Sequence, residues 1–248
     1  MRNAGRSGDR QTGILAAAAM AILCVGLMAP LALRAQTAAH HDTGKSVPAT
    51  DEMASKSFGS KSAPITMEVF SDFECPSCRM LYEQTLRPMI QDYVASGKVY
   101  LVHRDFPLPM HKYSYEAARW ADAAAKTGHY ADVEQALFDN QAAWSADGSM
   151  QKYVQGGLSE ADFRKVAKLM EGCELSAAGV KPASGSTAQA GHGCAMDASI
   201  EHDLALGKAI PVEATPTLRF TYKGRPYNTQ GFVSWQLLKQ FFDQLLTQ

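Results

Sequence analysis

The stretch "FSDFECPSCR", residues 70–79, decides the fold. It overlaps the end of "ITMEVF" (65–70), a run rich in β-formers that reads as a strand. Cys75 and Cys78 follow, two residues apart, with Pro76 directly after the first. Proline suits the first turn of a helix, where its missing N–H leaves nothing unsatisfied. The stretch therefore predicts a strand feeding straight into a helix from Pro76 to about Ala95. Leu81, Leu86, Met89, Ile90 and Tyr93 would form its apolar face. Pro88 falls inside this helix and predicts a kink, and Gly97 ends it.

A cysteine at such a junction has particular chemistry. The free N–H groups and the positive end of the helix dipole face the first sulfur. They favour the thiolate at Cys75, and the thiolate is the nucleophile. Cys78, one turn inside the helix, is placed to resolve a mixed disulfide made by Cys75. A stabilised thiolate favours the dithiol, which makes the disulfide oxidising. Two other readings compete. Cys75 and Cys78 could be half of a zinc site completed by Cys173, His192 and Cys194; structural zinc pairs usually sit in knuckles, whereas this pair opens a long amphipathic helix. An inert staple is the other, but so small a loop adds little stability. Glu74 would oppose the thiolate through like charge and reads as a solvated loop residue. Glu68 is a candidate proton relay for the resolving thiol. Alternation puts it on the face of Thr66 and Phe70, and the structural reading is favoured because unpaired carboxylates are rarely buried.

The chain has 248 residues, 46% hydrophobic and 20% charged, with a formal net charge of -1. That allows one sizeable domain, or a domain with a large insertion, and lacks the clustered basic face a nucleic-acid partner would want. Arg2, Arg6 and Arg10 precede the apolar run Ile14–Leu33. A basic segment before an apolar one is an export-signal pattern, with a small-residue cleavage site after Ala35. An uncleaved anchor is the alternative, since about 20 residues suffice to span a membrane. Residues 1–35 are thus expected to be a signal peptide or N-terminal anchor. Cys24 lies inside that segment. Export, to the periplasm or beyond, would place the remaining cysteines where disulfides persist. With Cys75 paired to Cys78 by proximity, Cys173 and Cys194 remain as a second, structural pair.

Residues 36–61 are polar, small and aperiodic, and read as a flexible linker before a domain at 62–248. "KVYLVHRDF" (98–106) reads as a second strand. Helical patterns follow at 114–128, 130–144 and 159–172, the last opening on Ser159 with Asp162 three residues on. "KPASGSTAQAGHG" (181–193) is a low-complexity loop bracketed by Cys173 and Cys194, and a loop of that length wants a tether. A helix over about 196–208 is followed by two strands within 214–231, turning at Lys223-Gly224, and an amphipathic helix at 234–246. The order predicts a split α/β fold with a helical insertion at about 107–209.

"FSDFECPSC", "HRDFPLPMHKYSYEAARWADAA" and "ATPTLRF" together resemble the DsbA-like branch of the thioredoxin superfamily, over about residues 62–247. The resemblance implies a thioredoxin-like fold with a helical domain inserted between the second and third core strands. It implies that Cys75 and Cys78 are the active couple, flanking Pro76 and Ser77. It also implies that Pro216 is a cis-proline against that couple, with Thr215 presenting backbone to a substrate strand. Two departures stand out. Val69, not a carboxylate, lies six residues before Cys75, and the motif lacks the histidine of the most oxidising members. His111, after "DFPLPM", reads mainly as structural.

The expectation is an exported thiol-disulfide oxidoreductase passing the Cys75–Cys78 disulfide to exported proteins with free cysteines. A membrane oxidase of the DsbB type would reoxidise it, and no metal or organic cofactor is required. Membrane contact is expected only if the N-terminal segment stays attached. The alternatives are a reductase or isomerase on the same fold, and a metal-binding or delivery module using Cys75, Cys78 and nearby His or Met, such as His40 and His41.

Overall fold

Along the strand Ile65–Ser71 the side chains sort to two faces. Ile65, Met67 and Val69 are buried in one core, Phe70 in another, and Glu68 is half-buried. This period-two alternation is what a strand imposes on its sequence. The structure, a computed structural model, describes residues 56–173 and 194–248, all within the unit Val47–Gln248. In chain order the strands are β1 (Ser57–Phe58), β2 (Ile65–Ser71), β3 (Val99–Asp105), β4 (Thr217–Tyr222) and β5 (Arg225–Gln230). They form one five-stranded sheet in the order β1-β3-β2-β4-β5. β2 and β3 are parallel, and the other neighbours are antiparallel. Lys223 and Gly224 both take positive φ, 48° and 76°, which is what a tight two-residue hairpin turn demands.

The crossover from β2 to β3 is α1, a continuous helical run of Pro76–Leu81, Tyr82–Leu86, Arg87–Met89 and Ile90–Val94. Pro88 has no N–H to close an ordinary i→i−4 bond, but it does not break the helix. Instead, wider π turns lie on either side of it: the Arg87 N–H reaches the Tyr82 carbonyl, and Ala95 N–H reaches Ile90 O at 3.0 Å. The helices after β3 are α2 (Ser114–Lys126), α3 (Tyr130–Asp139), α4 (Gln141–Asp147), α5 (Met150–Gly157), α6 (Glu160–Leu169) and α7 (Asp197–Ala209), and α8 (Trp235–Leu246) closes the chain. Thus α2–α7 lie between β3 and β4, as the helical insertion the sequence predicts.

One core lies between the Ile65 face of β2, α1 through Leu81, Leu86, Met89 and Tyr93, and α8 through Leu238, Phe242 and Leu245. The other gathers Phe70, Phe106 and the inward faces of α2, α3, α5 and α7. The fold is thioredoxin-like, mixed α/β, with its helical region on one face of the sheet.

Two sequence expectations need correction, and one helix was not expected. The segment 36–61 is not linker to its end: Ser57 and Phe58 pair with Val102 and Leu101 of β3, and Lys56 is buried. The helix expected over 130–144 is two, because Asn140 leaves helical geometry at φ −111°, ψ 15°. α5 carries no reading at all in the sequence. The N-terminal signal or anchor, Cys24, His40, His41 and the loop 181–193 lie outside the described residues. Among the described residues, no helix is long and apolar enough to cross a membrane.

Candidate active site

Cys75 is the N-cap of α1, in extended backbone at φ −75°, ψ 120°, with Pro76 in the first turn. Its carbonyl accepts the Cys78 and Arg79 N–H groups at 3.1 and 3.2 Å. The sulfur therefore sits where amides with no partner inside the helix point. The Cys75 thiol is pulled down to about 5. The first cause is the hydrogen bond from the Cys78 thiol; Thr215 and the Cys78 and Ser77 amides add to it against the opposing effect of burial. Cys78 goes the other way, pushed well up by burial and by the neighbouring Cys75 sulfur. Cys75 keeps 7% of its surface exposed and Cys78 1%. Both thiols are free. One sulfur is thus ionised and reachable, and the other is protonated and held beneath it.

The loop before Cys75 is fixed by Asp72. Its fully buried carboxylate accepts four hydrogen bonds: Glu74 N–H at 2.8 Å, Leu108 N–H at 2.7 Å, Ser114 Oγ–H at 2.6 Å and His111 Nδ1 at 2.7 Å. Its backbone accepts the Cys75 N–H at 3.1 Å, and its own N–H points at Cys78 Sγ at 3.4 Å. Gln141, at the start of α4, donates Nε2 to the carbonyls of Phe73 at 2.7 Å and Cys75 at 3.0 Å. The helical region therefore grips the cysteine loop from above. Glu74 accepts the Tyr113 N–H at 2.7 Å, so it is a structural acceptor in that loop.

Thr215 and Pro216 are joined by a cis peptide bond. The Thr215 carbonyl lies 3.5 Å from Cys75 Sγ, which places this loop against the cysteine pair. The Pro216 carbonyl accepts Gly231 N–H at 2.7 Å, anchoring the loop to the end of β5. An open groove of about 570 Å³ passes Glu74, Pro76, Met80, Gln84 and Gln141 at the mouth of the site.

The structure brings Cys75, Pro76, Ser77, Cys78, Thr215 and Pro216 together. It gives Glu68 away: its carboxylate is held by Arg104 Nη2 at 2.7 Å and Nε at 3.0 Å, with Arg219 at 4.0 Å. Cys173 and Cys194 form a disulfide with S–S 2.00 Å, well away in sequence from the couple. Their sulfurs are bonded to each other, which removes the zinc set that needed both as thiolates. His111, read as structural, is a partner of Asp72 at the site. Asp72 and Gln141 were missed. Asp72 had a signal, since an Asp two residues before a free N–H is a local capping pattern. Gln141 had none, because its contact joins segments far apart in sequence.

A thioredoxin family model matches residues 51–230. The chain belongs to the thioredoxin family. Similar solved structures include Wolbachia pipientis alpha-DsbA1, at 18% identity over 77% of this chain and 90% of that one, TM-score 0.57. BdbD from Bacillus subtilis is 18% identical over 78% and 93%, TM-score 0.57. A thioredoxin-like oxidoreductase from Silicibacter pomeroyi is 20% identical over 80% and 98%, TM-score 0.52. These likenesses show that this thioredoxin-family protein has a DsbA-type fold. Among curated proteins, the Na(+)/H(+) antiporter NhaA 3 of Salinispora tropica is 36% identical over 84 residues, which is 34% of this chain. The chain spans only 12% of that protein's length.

Proposed function

We propose that the protein is an exported thiol-disulfide oxidoreductase that donates the Cys75–Cys78 disulfide to proteins carrying free cysteines. The observation that carries this is the division of labour between the two sulfurs: Cys75 low and at the edge of the surface with 7% accessible, Cys78 high and sealed at 1%. In the oxidised protein, a substrate thiolate attacks Cys75 Sγ and the Cys75–Cys78 bond breaks. The electron pair leaves on Cys78, which takes up a proton because burial disfavours its thiolate. A second substrate thiolate then attacks the substrate sulfur of the mixed disulfide. Cys75 leaves as a stable thiolate, and the substrate holds the new disulfide. Two electrons have moved to the protein, and a membrane oxidase of the DsbB type would remove them.

The low Cys75 value favours this direction, since a good leaving thiolate makes the disulfide oxidising. The Thr215–Pro216 loop and the open groove beside Pro76 supply room and backbone for an extended substrate segment. The export pattern at residues 1–35 supports a periplasmic or extracellular setting, where a disulfide donor has substrates. No step requires a metal or organic cofactor.

The test is a trap. In Cys78→Ser the resolving sulfur is gone, so oxidised dithiol substrates should accumulate as mixed disulfides on Cys75, visible as added mass that reductant removes. Cys75→Ser should accumulate none. Equal trapping by both variants would show that Cys75 has no privileged role.

A further inference from the structure

Cys78 is sealed beneath Cys75, and a buried sulfur that must leave as an anion needs a donor. One is aimed at it. The Asp72 N–H, just past the end of β2, points at Cys78 Sγ at 3.4 Å. The Asp72 side chain fixes that direction. Its buried carboxylate accepts Glu74 N–H and Ser114 Oγ–H on Oδ1, and Leu108 N–H and His111 Nδ1 on Oδ2. We propose that the Asp72 main-chain N–H is a catalytic group that stabilises the Cys78 thiolate as the Cys75–Cys78 bond breaks, and that the Asp72 carboxylate is the positioning group that aims it.

The four donors come from both sides of the site. Glu74 lies in the loop before α1, Leu108 and His111 lie on the segment after β3, and Ser114 opens α2. A fifth bond, from Cys75 N–H at 3.1 Å, holds the Asp72 carbonyl. Each carboxylate oxygen takes one backbone N–H, which cannot reverse its role, and one side-chain group that can. Asparagine therefore does not fit: whichever way its amide lies, the NH2 meets a backbone N–H. In the exchange step a substrate thiolate bonds to Cys75 Sγ, the Cys75–Cys78 bond breaks, and its electron pair goes to Cys78 Sγ. The Asp72 N–H bond strengthens onto that charge, and a proton from solvent follows. The reverse step, attack by Cys78 on the mixed disulfide, passes through the same charge. Burial and the Cys75 sulfur push the Cys78 thiol up, and the Asp72 amide acts against them. Cys78 is protonated in the finished dithiol and bonded to Cys75 in the disulfide, so its charge exists only in passage. The N–H should therefore speed both directions and leave the equilibrium in place.

The inference rests on the proposed function at one point, that Cys78 is the sulfur that leaves. The full protein and Asp72→Asn are mixed with reduced or oxidised glutathione, and the opening and closing of the Cys75–Cys78 disulfide are followed by acid-quenched mass analysis. Both rates should fall about tenfold in the variant, the low end for one hydrogen bond to a charged group. The glutathione equilibrium and the pH midpoint of Cys75 alkylation should not move. Unchanged rates overturn the proposal. So does a shift in the equilibrium or the midpoint as large as that in the rates, which is what a general loosening of the site would give. If Asp72→Asn does not fold, Ser114→Ala combined with His111→Gln removes one donor from each oxygen and keeps both backbone bonds. That variant should slow both directions about threefold, as for a weakened bond, and unaltered rates in it overturn the proposal. If Cys78→Ser traps substrate on Cys75 while the rates of Asp72→Asn are unchanged, only this inference fails. If Cys78→Ser and Cys75→Ser trap alike, the proposed function fails with it.

Discussion

Cys75 and Cys78 are chemically identical residues one helical turn apart, and position alone makes them different. The N-cap of α1 and the Cys78 thiol hold Cys75 down at about 5, while burial holds Cys78 up. In the reduced protein, alkylation should modify Cys75 alone, with a rate that rises through about pH 5 and is flat at neutrality. A midpoint near the ordinary thiol value of ~8.5 would contradict this. The same shift has a stability sign. The folded value lies below the unfolded one, so the reduced protein carries the full stabilisation above the unfolded thiol's value. It loses that stabilisation as pH falls, and all of it is gone below about pH 5. Both cysteines were legible because a strand, a CxxC spacing and Pro76 fall within ten residues. The partners that tune them were less so. Asp72 lies in the same stretch, but its bonds to Leu108, His111 and Ser114 depend on where β3 delivers the chain.

Among the elements, β1 is the one whose loss should cost most for its size. It is two residues long, and Lys56 before it is 3% exposed. The Lys56 ammonium meets Asp105 at 2.5 Å, Asp203 at 2.8 Å, Asp122 at 3.0 Å and Ser199 at 3.1 Å. These acids come from β3, α2 and α7, so one side chain ties the start of the domain to the sheet and the helical region. Lys56→Met keeps the bulk and removes the charge. It should lower unfolding stability by about 3–5 kcal/mol at neutral pH, the cost of leaving buried charge unpaired. Denaturant unfolding measures this, and the deficit should shrink toward acid pH as the carboxylates protonate. A loss below about 1 kcal/mol would mean the network is not held as described. The sequence hid β1 because two residues cannot show alternation and one lysine in a polar run has no pattern. It revealed α2, α6 and α8 because their apolar faces repeat over ten residues or more and, for α6, a serine cap marks the start. Ser159 and Ser234 each accept an N–H three residues on.

Across the whole molecule, the helical region is tied to the sheet by the Lys56 cluster, by Arg104 of β3 paired with Asp203 of α7, and by the Gln141 grip on the cysteine loop, while Arg119 of α2 pairs with Asp197 of α7 inside the helical region, beside the Cys173 carbonyl. The Cys173–Cys194 disulfide closes a sequence separation of 21 residues next to that pair. Replacing both cysteines by serine should cost about 3 kcal/mol, as expected for a loop of this size, while leaving the Cys75–Cys78 couple in place. That double variant makes the decisive measurement clean, because only one redox pair remains. Its equilibrium with glutathione gives the potential of the couple. A thiol held at about 5 lies between those of a strong reductant and a strong oxidant of this fold, so the potential should fall between ~-270 and ~-120 mV, well above the lower limit. That result would support donation of disulfides to substrates. A potential at or below ~-270 mV would contradict it and make the protein a reductase that another partner keeps charged.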